Sequence, residues 1–327
     1  MRHPPLFRFV TYPSEAFDVL AGVNTGDPVG LADNMVPGDI YRLRRAARPA
    51  RLAIADEEAG QVVADTSEVG RAGEPLRIVD CHRFMDTAGQ LIELLVLDRD
   101  TAQGPARHIL PLAALSPDQE YELIDSETIA APDRLADIAS VRFVAGTHVT
   151  MSDGRQVAVE DVKVGDVLLT RSHGPQPVRW IGHQTYRATG ASALVRITAG
   201  TLNTARDLWL SPQHRLFIWQ RTDRVNAGRA EVMVRAEHLV NGDTVRREDG
   251  GHVDSFQLIF DGHEIIYAEG IAVESLLVTG LTRARLPDSL ALDRQSSDGG
   301  TELELDEGAL GPDAADKLTR ASRGDGS

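Results

Sequence analysis

Cysteine, aromatic residues and positive charge are all scarce in this sequence of 327 residues. The single cysteine, Cys81, cannot form an internal disulfide, and we expect it to be a small buried side chain. Aromatic residues make up only 5% of the chain, but 42% of the residues are apolar and 25% are charged, which is a globular balance. The length allows two ordinary domains.

Basic residues are outnumbered by acidic ones, 34 against 49, so the net charge is −15. Nucleic acid and anionic membranes would be repelled by such a chain, and we expect neither as a partner. No stretch approaches the roughly 20 apolar residues of a membrane-spanning helix. The opening residues lack the apolar run of a signal peptide, which predicts a cytoplasmic protein or one secreted without a cleaved signal peptide.

Short apolar segments with alternating character, such as residues 89–97, are separated by Gly, Pro and Asp throughout the chain. This texture is typical of many short strands joined by tight turns, and long amphipathic helices are scarce. Residues 1–138 are therefore predicted to form a β-rich domain of unknown role. A polar connector at residues 132–139, long enough for one helical turn, marks the predicted domain boundary.

The last stretch, residues 284–327, is rich in Asp, Glu, Gly and Ser and poor in aromatic and β-branched residues. Such a composition buries too little surface to offset the entropy of ordering the chain, so we expect a disordered acidic tail. Residues 301–307 alternate like a strand, but a lone charged strand is marginal unless it pairs with a sheet edge.

A short motif occurs twice, at residues 160–167 and at residues 237–244. Both copies have the frame Glu-x-apolar-x-x-Gly-Asp, in which Gly can adopt a positive φ and the Asp side chain can bond nearby backbone amides. Each copy is therefore predicted to be a turn that leads into a strand. Two similar halves suggest a β-module with pseudo-twofold symmetry.

Four blocks of sequence follow one another from residue 143 to residue 267. The opening block consists of FVAGTHVT at 143–150, Asp153-Gly154 and VAVEDVKVGDVLL at 157–169, and the others are PQPVRWIG at 175–182, LSPQHRLF at 210–217 and FDGHEIIY at 260–267. Together they resemble the Hint module of the bacterial Hint-2 type, which hedgehog autoprocessing domains and inteins share. The resemblance covers about 140 residues, and the N-terminal domain and the tail lie outside it.

The resemblance implies an all-β horseshoe over residues 139–283, in which two related halves bring the first strand beside the histidine-bearing block. It also implies chemistry on the protein's own backbone. In active members of the family a Cys, or less often a Ser or Thr, opens the module and attacks the preceding carbonyl, which converts a peptide bond into a thioester or ester. Such an acyl shift also needs a proton donor and a site that stabilises the oxyanion.

The residue at the nucleophile position, immediately before Phe143, is Arg142. A guanidinium group stays protonated and offers no lone pair for attack, so Arg142 cannot start the reaction. Ser140 carries a hydroxyl two residues earlier, and a shifted register would place it at the junction. A nucleophile misplaced by about 1 Å can reduce the reaction rate about a hundredfold. Attack by Ser140 would therefore need the shifted register to bring its hydroxyl to the junction.

The remaining candidate residues come from the last two blocks. The resemblance implies that His214 is the histidine that hydrogen-bonds the scissile amide and protonates its nitrogen, and Ser211 preserves the hydroxyl of that block. A structural histidine that bonds a backbone carbonyl is an equally good interpretation of His214. His263 is typical of the bacterial subgroup, where it either bonds Asp261, lines the same cleft or has a structural role at the end of a strand.

Several other functions have no support in the sequence. The module ends without the His-Asn pair that splicing requires, so excision and religation are not expected. One cysteine and scattered histidines do not make a zinc site, and no glycine-rich nucleotide-binding loop occurs. We expect no cofactor and no metal.

Two functions therefore remain open, and a third is weaker. The first is a processing-deficient Hint module that acts as a scaffold or binds an unknown protein partner. The second is a self-processing protein, with its own polypeptide as substrate, that cleaves itself near residues 139–142 through Ser140 with the help of His214. The third is an enzymatic N-terminal domain, although no nucleophile, base or metal constellation is evident within it. Any enzymatic activity in the first two cases is at most self-processing.

Overall fold

A computed structural model of the chain describes residues 6–57, 59–128, 135–136, 140–189, 192–220, 223, 225, 227–248, 250–283, 286–287, 290, 295 and 314–321. Nearly all of the regular structure in these residues is β-strand, which confirms the all-β prediction. No helix in this part of the chain is long and apolar enough to cross a membrane.

The chain divides into two compact units. One comprises residues 4–139 together with residues 279–285, and the other comprises residues 1–3, 140–278 and 286–327. The segment 279–285 groups with the N-terminal unit, although the predicted second domain extends to residue 283. It contains the short helix α1 (Gly280–Arg283), whose first backbone N–H donates to the buried carboxylate of Asp56 at 2.5 Å.

The N-terminal unit has nine strands. They are β1 (Leu6–Pro13), β2 (Phe17–Ala21), β3 (Ile40–Leu43), β4 (Ala50–Glu57), β5 (Gly60–Val63), β6 (Leu76–Asp86), β7 (Leu91–Thr101), β8 (Gly104–Pro111) and β9 (Tyr121–Glu127). Two 3₁₀ turns, Ser14–Ala16 and Ala32–Asn34, join some of them. The strands form one antiparallel sheet in the order β2-β3-β9-β6-β7-β8-β1-β4-β5.

A cluster of four aromatic side chains, Phe17, Tyr41, Phe84 and Tyr121, fills the core of this sheet. Ring centroids lie 5.2 to 5.6 Å apart, and two of the pairs meet edge to face, which is a preferred geometry for aromatic pairs. Burial raises the pKa of the Tyr41 hydroxyl, with smaller contributions from Asp39 and Asp27. These four rings therefore pack together at one place in the core of the N-terminal unit.

The second unit contains the other strands. They are β10 (Phe143–Val144), β11 (His148–Thr150), β12 (Gln156–Ala158), β13 (Val167–Leu169), β14 (Pro175–Pro177), β15 (Trp180–Arg187), β16 (Leu194–Ile197), β17 (Leu208–Leu210), β18 (Arg215–Trp219), β19 (Glu231–Arg235), β20 (Val245–Glu248), β21 (His252–Ile259), β22 (Ile265–Ala268) and β23 (Ile271–Glu274). They are accompanied by 3₁₀ segments at Val159–Asp161, Thr201–Asn203 and Ala236–Leu239.

These strands form two six-stranded sheets and one hairpin. The first sheet has the order β15-β21-β10-β17-β16-β20, the second has the order β12-β11-β22-β23-β18-β19, and β13 pairs with β14. Side chains from both sheets, among them Phe143, Leu210, Leu216 and Val273, meet in one apolar core. The hydrophobic effect therefore joins the two sheets.

The repeated motif has the same local structure in both copies. In each copy a 3₁₀ turn leads to a glycine with positive φ, Gly165 at 93° and Gly242 at 73°, and a strand follows. The backbone amide of Lys163 bonds the Asp166 carboxylate at 2.9 Å in the first copy, whereas Asn241 accepts from the following amides in the second. The predicted turn-to-strand repeat is confirmed.

Part of the C-terminal segment has regular structure. Residues Ala314–Ala321 form helix α2, and its Leu318 is completely buried in the core of the second unit. Asn241 bonds Thr319 across this contact at 3.3 Å. The composition of the tail concealed this helix, because one apolar face of a few residues is enough to dock it. The strand-like residues 301–307 and most of the connector at 132–139 lie outside the described residues, but Leu135 and Ala136 are helical.

The partly buried histidine of strand β8 makes stability depend on pH. Burial and the nearby Arg99 lower the pKa of His108 to about 4. Its unfolded value is about 6.5, so the unfolded chain binds more protons between these two values. We expect the free energy of unfolding to fall as the pH drops from about 6.5 to about 4, and to be fully retained above this range.

His108→Gln should reduce this pH dependence, because glutamine keeps an oxygen for Arg99 but does not titrate. The measurement is urea unfolding at several pH values between 4.5 and 7.5, with the wild-type chain alongside. An identical fall in the variant would contradict the assignment to His108.

Candidate functional site

The short strand β10 is fixed in register on both of its edges. Phe143 pairs with Leu210 on β17 and with Phe256 on β21, so Arg142 is the last residue before a strand in the middle of its sheet. Arg142 is only 7% exposed, and its guanidinium carbon lies 5.1 Å from the centre of the Tyr186 ring. A buried arginine therefore occupies the start of the module.

The loop with His214 connects the two sheets, because β17 belongs to the first and β18 to the second. A turn closes the loop through the bond from His214 N–H to Ser211 C=O at 3.0 Å. Two amides of the 3₁₀ turn at Ala236–Leu239 donate back to this loop, one of them to His214 C=O at 2.8 Å. The backbone thus holds His214 between the sheets.

The imidazole ring of His214 is completely buried and contacts a backbone carbonyl at each nitrogen. Nδ1 lies 3.3 Å from the carbonyl oxygen of Arg142, and Nε2 lies 2.9 Å from that of Glu274. The Phe143 ring meets the imidazole edge to face at 4.9 Å. The structure therefore brings the backbone of Arg142 and His214 together.

Burial lowers the pKa of His214, although the charge of Glu274 acts in the opposite direction. The ring is neutral at pH 7, so it carries one proton and can donate to only one of the two carbonyls. The shorter separation favours Nε2–H donating to Glu274 C=O. The unprotonated nitrogen, Nδ1, then faces the Arg142 backbone.

A buried charge cluster lies behind the histidine. The carboxylate of Glu274 accepts hydrogen bonds from the backbone N–H of Arg215 at 2.9 Å and from its guanidinium at 2.8 and 2.6 Å. His263 is completely buried at its side chain, and its Nε2 lies 3.4 Å from the same carboxylate. Burial alone would raise the pKa of Glu274, but Arg215 and His263 lower it well below its usual range.

The other candidate residues are placed differently. Ser140 is buried two residues before Arg142, but the ring nitrogens of His214 face carbonyls rather than its hydroxyl. Ser211 is 9% exposed, and its Oγ has no hydrogen-bond partner within the described residues. His263 contacts Glu274 and not Asp261.

Asp261 does not belong to this cluster. It forms a bidentate ion pair with Arg179 at 2.7 and 2.6 Å, and both side chains are about half exposed. The preceding Phe260 is buried, whereas Asp261 stands where the chain leaves the sheet after β21 and turns outward. Proximity in sequence to His263 suggested a shared cleft, but the turn between them separates the two side chains.

The comparison with protein families identifies this arrangement. The family model of the Hint domain, type Hint_2, matches residues 141–280. This part of the chain is a Hint domain. The match starts one residue before Arg142 and includes every strand from β10 to β23.

Solved structures of inteins are similar to the chain. One is the DnaB intein from Synechocystis sp. PCC 6803, with 10% identity, a TM-score of 0.28, and coverage of 42% of this chain and 99% of that chain. The Ssp DnaB mini-intein variant M86 and its G-1F mutant also have 10% identity and cover 42% of this chain, with TM-scores of 0.28 and 0.27 and coverage of 96% and 99% of their own chains. No curated protein matches the chain.

Sequence reasoning missed Glu274 and Arg215, two residues that the structure places next to His214. Glu274 is the one charged residue in the apolar run of residues 271–278, and Arg215 directly follows His214. A charge inside an apolar run needs a partner of opposite charge, so the signal was present. Among the described residues, no cluster of three or more His, Cys, Asp or Glu side chains could hold a metal ion.

Two of the arginine–carboxylate pairs of the Hint domain, the buried pair Arg215–Glu274 and the exposed pair Arg179–Asp261, should differ in their effect on stability. Arg215→Gln leaves the Glu274 carboxylate buried without its main counter-charge, and removal of one partner from a buried pair costs about 3–5 kcal/mol. Arg179→Gln removes one partner of the exposed pair, where solvent screens both charges. Urea unfolding of both variants measures the difference, and equal losses would contradict this account.

Proposed function

We propose that the Hint domain of this protein does not cleave its own chain and acts as a stable scaffold that keeps the N-terminal domain in one polypeptide. The identity of residue 142 carries this proposal. An acyl shift at the 141–142 bond begins when a hydroxyl or thiol at residue 142 attacks the carbonyl of residue 141. Arg142 has neither group, and its guanidinium is held against Tyr186.

The register of β10 argues against a substitute nucleophile. A shift that put Ser140 in the place of Arg142 would move the strand by two residues, which is about 7 Å. It would break the pairing of Phe143 with both Leu210 and Phe256, and it would remove Phe143 from the core. Loss of this strand pairing and of the buried Phe143 side chain would destabilise the fold, which supports a fixed register with Arg142 at the junction.

The end of the domain supports the same conclusion for splicing. Residues 274–281 hold no His-Asn pair, so no side chain there could cyclise and release the chain. The remaining role of the Hint domain is structural or consists of binding a protein partner, and the chain stays one uncut polypeptide. Self-cleavage near residues 139–142 through Ser140 and His214 is the competing function.

Intact-mass spectrometry of the purified full chain separates these two functions. We expect only the 35.5 kDa chain after long incubation, with and without thiol or hydroxylamine. Attack on an ester or thioester by hydroxylamine would release a fragment that ends near residue 139 or 141. Any such fragment from the wild-type protein would overturn the proposal.

Arg142→Cys tests whether the missing nucleophile is the reason for inactivity. The introduced Sγ would attack the carbonyl carbon of Val141, the bond to the nitrogen of residue 142 would break, and that nitrogen would take a proton. We expect hydroxylamine to release residues 1–141 as a hydroxamate from this variant, observed by mass spectrometry over hours.

Arg142→Ala is the matched control, since it removes the guanidinium without supplying a nucleophile, and it should stay intact. Adding His214→Ala to Arg142→Cys should slow the cleavage about a hundredfold, because general acid–base catalysis contributes about 10²–10⁴ in rate. A well-folded Arg142→Cys variant that remains intact would show that something other than residue 142 disables the site.

A further inference from the structure

We propose that Glu274 is the positioning residue of this cleft, whose backbone carbonyl selects the Nε2–H tautomer of His214 and whose carboxylate holds that carbonyl in place. It rests on the proposed function only where cleavage by the Arg142→Cys variant serves as a readout. It concerns the proton-transfer side of the site, which Arg142 does not alter.

The carbonyl of Glu274 determines which nitrogen of His214 carries the proton. It is the nearer of the two carbonyls at the ring, 2.9 Å from Nε2 against 3.3 Å from Arg142 C=O to Nδ1. A carbonyl oxygen only accepts hydrogen bonds, so whichever ring nitrogen is unprotonated is repelled by its carbonyl, and this repulsion is smaller at 3.3 Å than at 2.9 Å. Solvent cannot compensate, because the ring is completely buried.

The carboxylate of Glu274 fixes the position of that carbonyl. Glu274 is the last residue of β23, and it pairs with Ile265 on β22 but lies beyond the last register pair of β23 with β18, Leu216 with Val273. Its side chain bonds both the backbone N–H and the guanidinium of Arg215, the residue that follows His214. Glu274 thus contacts His214 through its backbone carbonyl and Arg215 through its carboxylate. Together these contacts set the distance between β23 and the start of β18 next to the His214 ring.

This arrangement has a consequence for catalysis. With the proton on Nε2, the lone pair of His214 is at Nδ1, on the side of the Arg142 backbone. A nucleophile at residue 142 could transfer its proton to Nδ1, and the resulting imidazolium could return it to the leaving nitrogen. Without Glu274 the ring could adopt the other tautomer, which places no lone pair on that side.

Nitrogen NMR of the full-length wild-type protein tests the tautomer directly. In ¹⁵N-labelled chain at pH 7.5, long-range proton–nitrogen spectra should show the His214 ring with Nε2 protonated and Nδ1 unprotonated, in at least about tenfold excess over the other tautomer. A His214→Gln sample assigns the signals. An Nδ1–H tautomer, an even mixture or a doubly protonated ring would overturn the proposal.

Glu274→Ala tests whether the carboxylate maintains this state. We expect the His214 tautomers to become mixed in this variant, and Glu274→Gln, which keeps an oxygen that can accept from the Arg215 N–H, should retain more of the Nε2–H form. Glu269→Ala is the matched control. Glu269 is another buried carboxylate of the β22–β23 hairpin, and it contacts Arg206 and His148 instead of His214. An unchanged tautomer in a folded Glu274→Ala variant would overturn the proposal.

The same changes in the Arg142→Cys background give a second readout. Glu274→Ala should slow hydroxylamine-dependent cleavage at least tenfold, while Glu269→Ala should change it less than about twofold. Equal slowing by both variants would contradict a specific positioning role. If Arg142→Cys does not cleave, the explanation of inactivity fails, and the tautomer measurements still decide the role of Glu274. If Glu274→Ala does not fold, the wild-type spectrum decides it.

Discussion

The contacts of one buried imidazole with two backbone carbonyls connect the two sheets of the Hint domain. The ring of His214 contacts the carbonyl of Arg142 before β10 in the first sheet and the carbonyl of Glu274 on β23 in the second. A buried polar group without partners costs about 1–3 kcal/mol, so the ring and the two carbonyls constrain each other's positions. The apolar core supplies most of the driving force for sheet packing, but it does not specify this geometry.

Much of the fold could be predicted from local chemistry. The two Gly-Asp motifs required positive φ at Gly165 and Gly242, and the structure has both in front of strands. The family blocks also predicted that the backbone at Arg142 lies against His214, which the structure bears out. The first of these depends on a short stretch of chain whose conformation is encoded locally, whereas the second joins residues 72 positions apart and was implied only by the family resemblance.

The remaining features depend on which distant residues become neighbours. Glu274 meets Arg215 across 59 positions in the sequence, and strand pairing, not composition, decides that meeting. Asp261 shows the same dependence on neighbours. A bond between Asp261 and His263 was one interpretation of the sequence, but after the turn that follows β21 Asp261 pairs with Arg179 at the surface. Helix α2 was concealed for a related reason: the docking surface for Leu318 is built from residues far away in the chain.

The structural role of His214 also changes what its presence implies. If the ring were removed, the carbonyls of Arg142 and Glu274 would both lose a neighbouring polar group in a region without solvent. A histidine in this position therefore has a structural reason to be present, and its presence alone does not indicate self-cleavage. Only the backbone carbonyl of residue 142 contacts the ring. The side chain of residue 142 can therefore differ while the contacts of the ring with the two carbonyls stay the same.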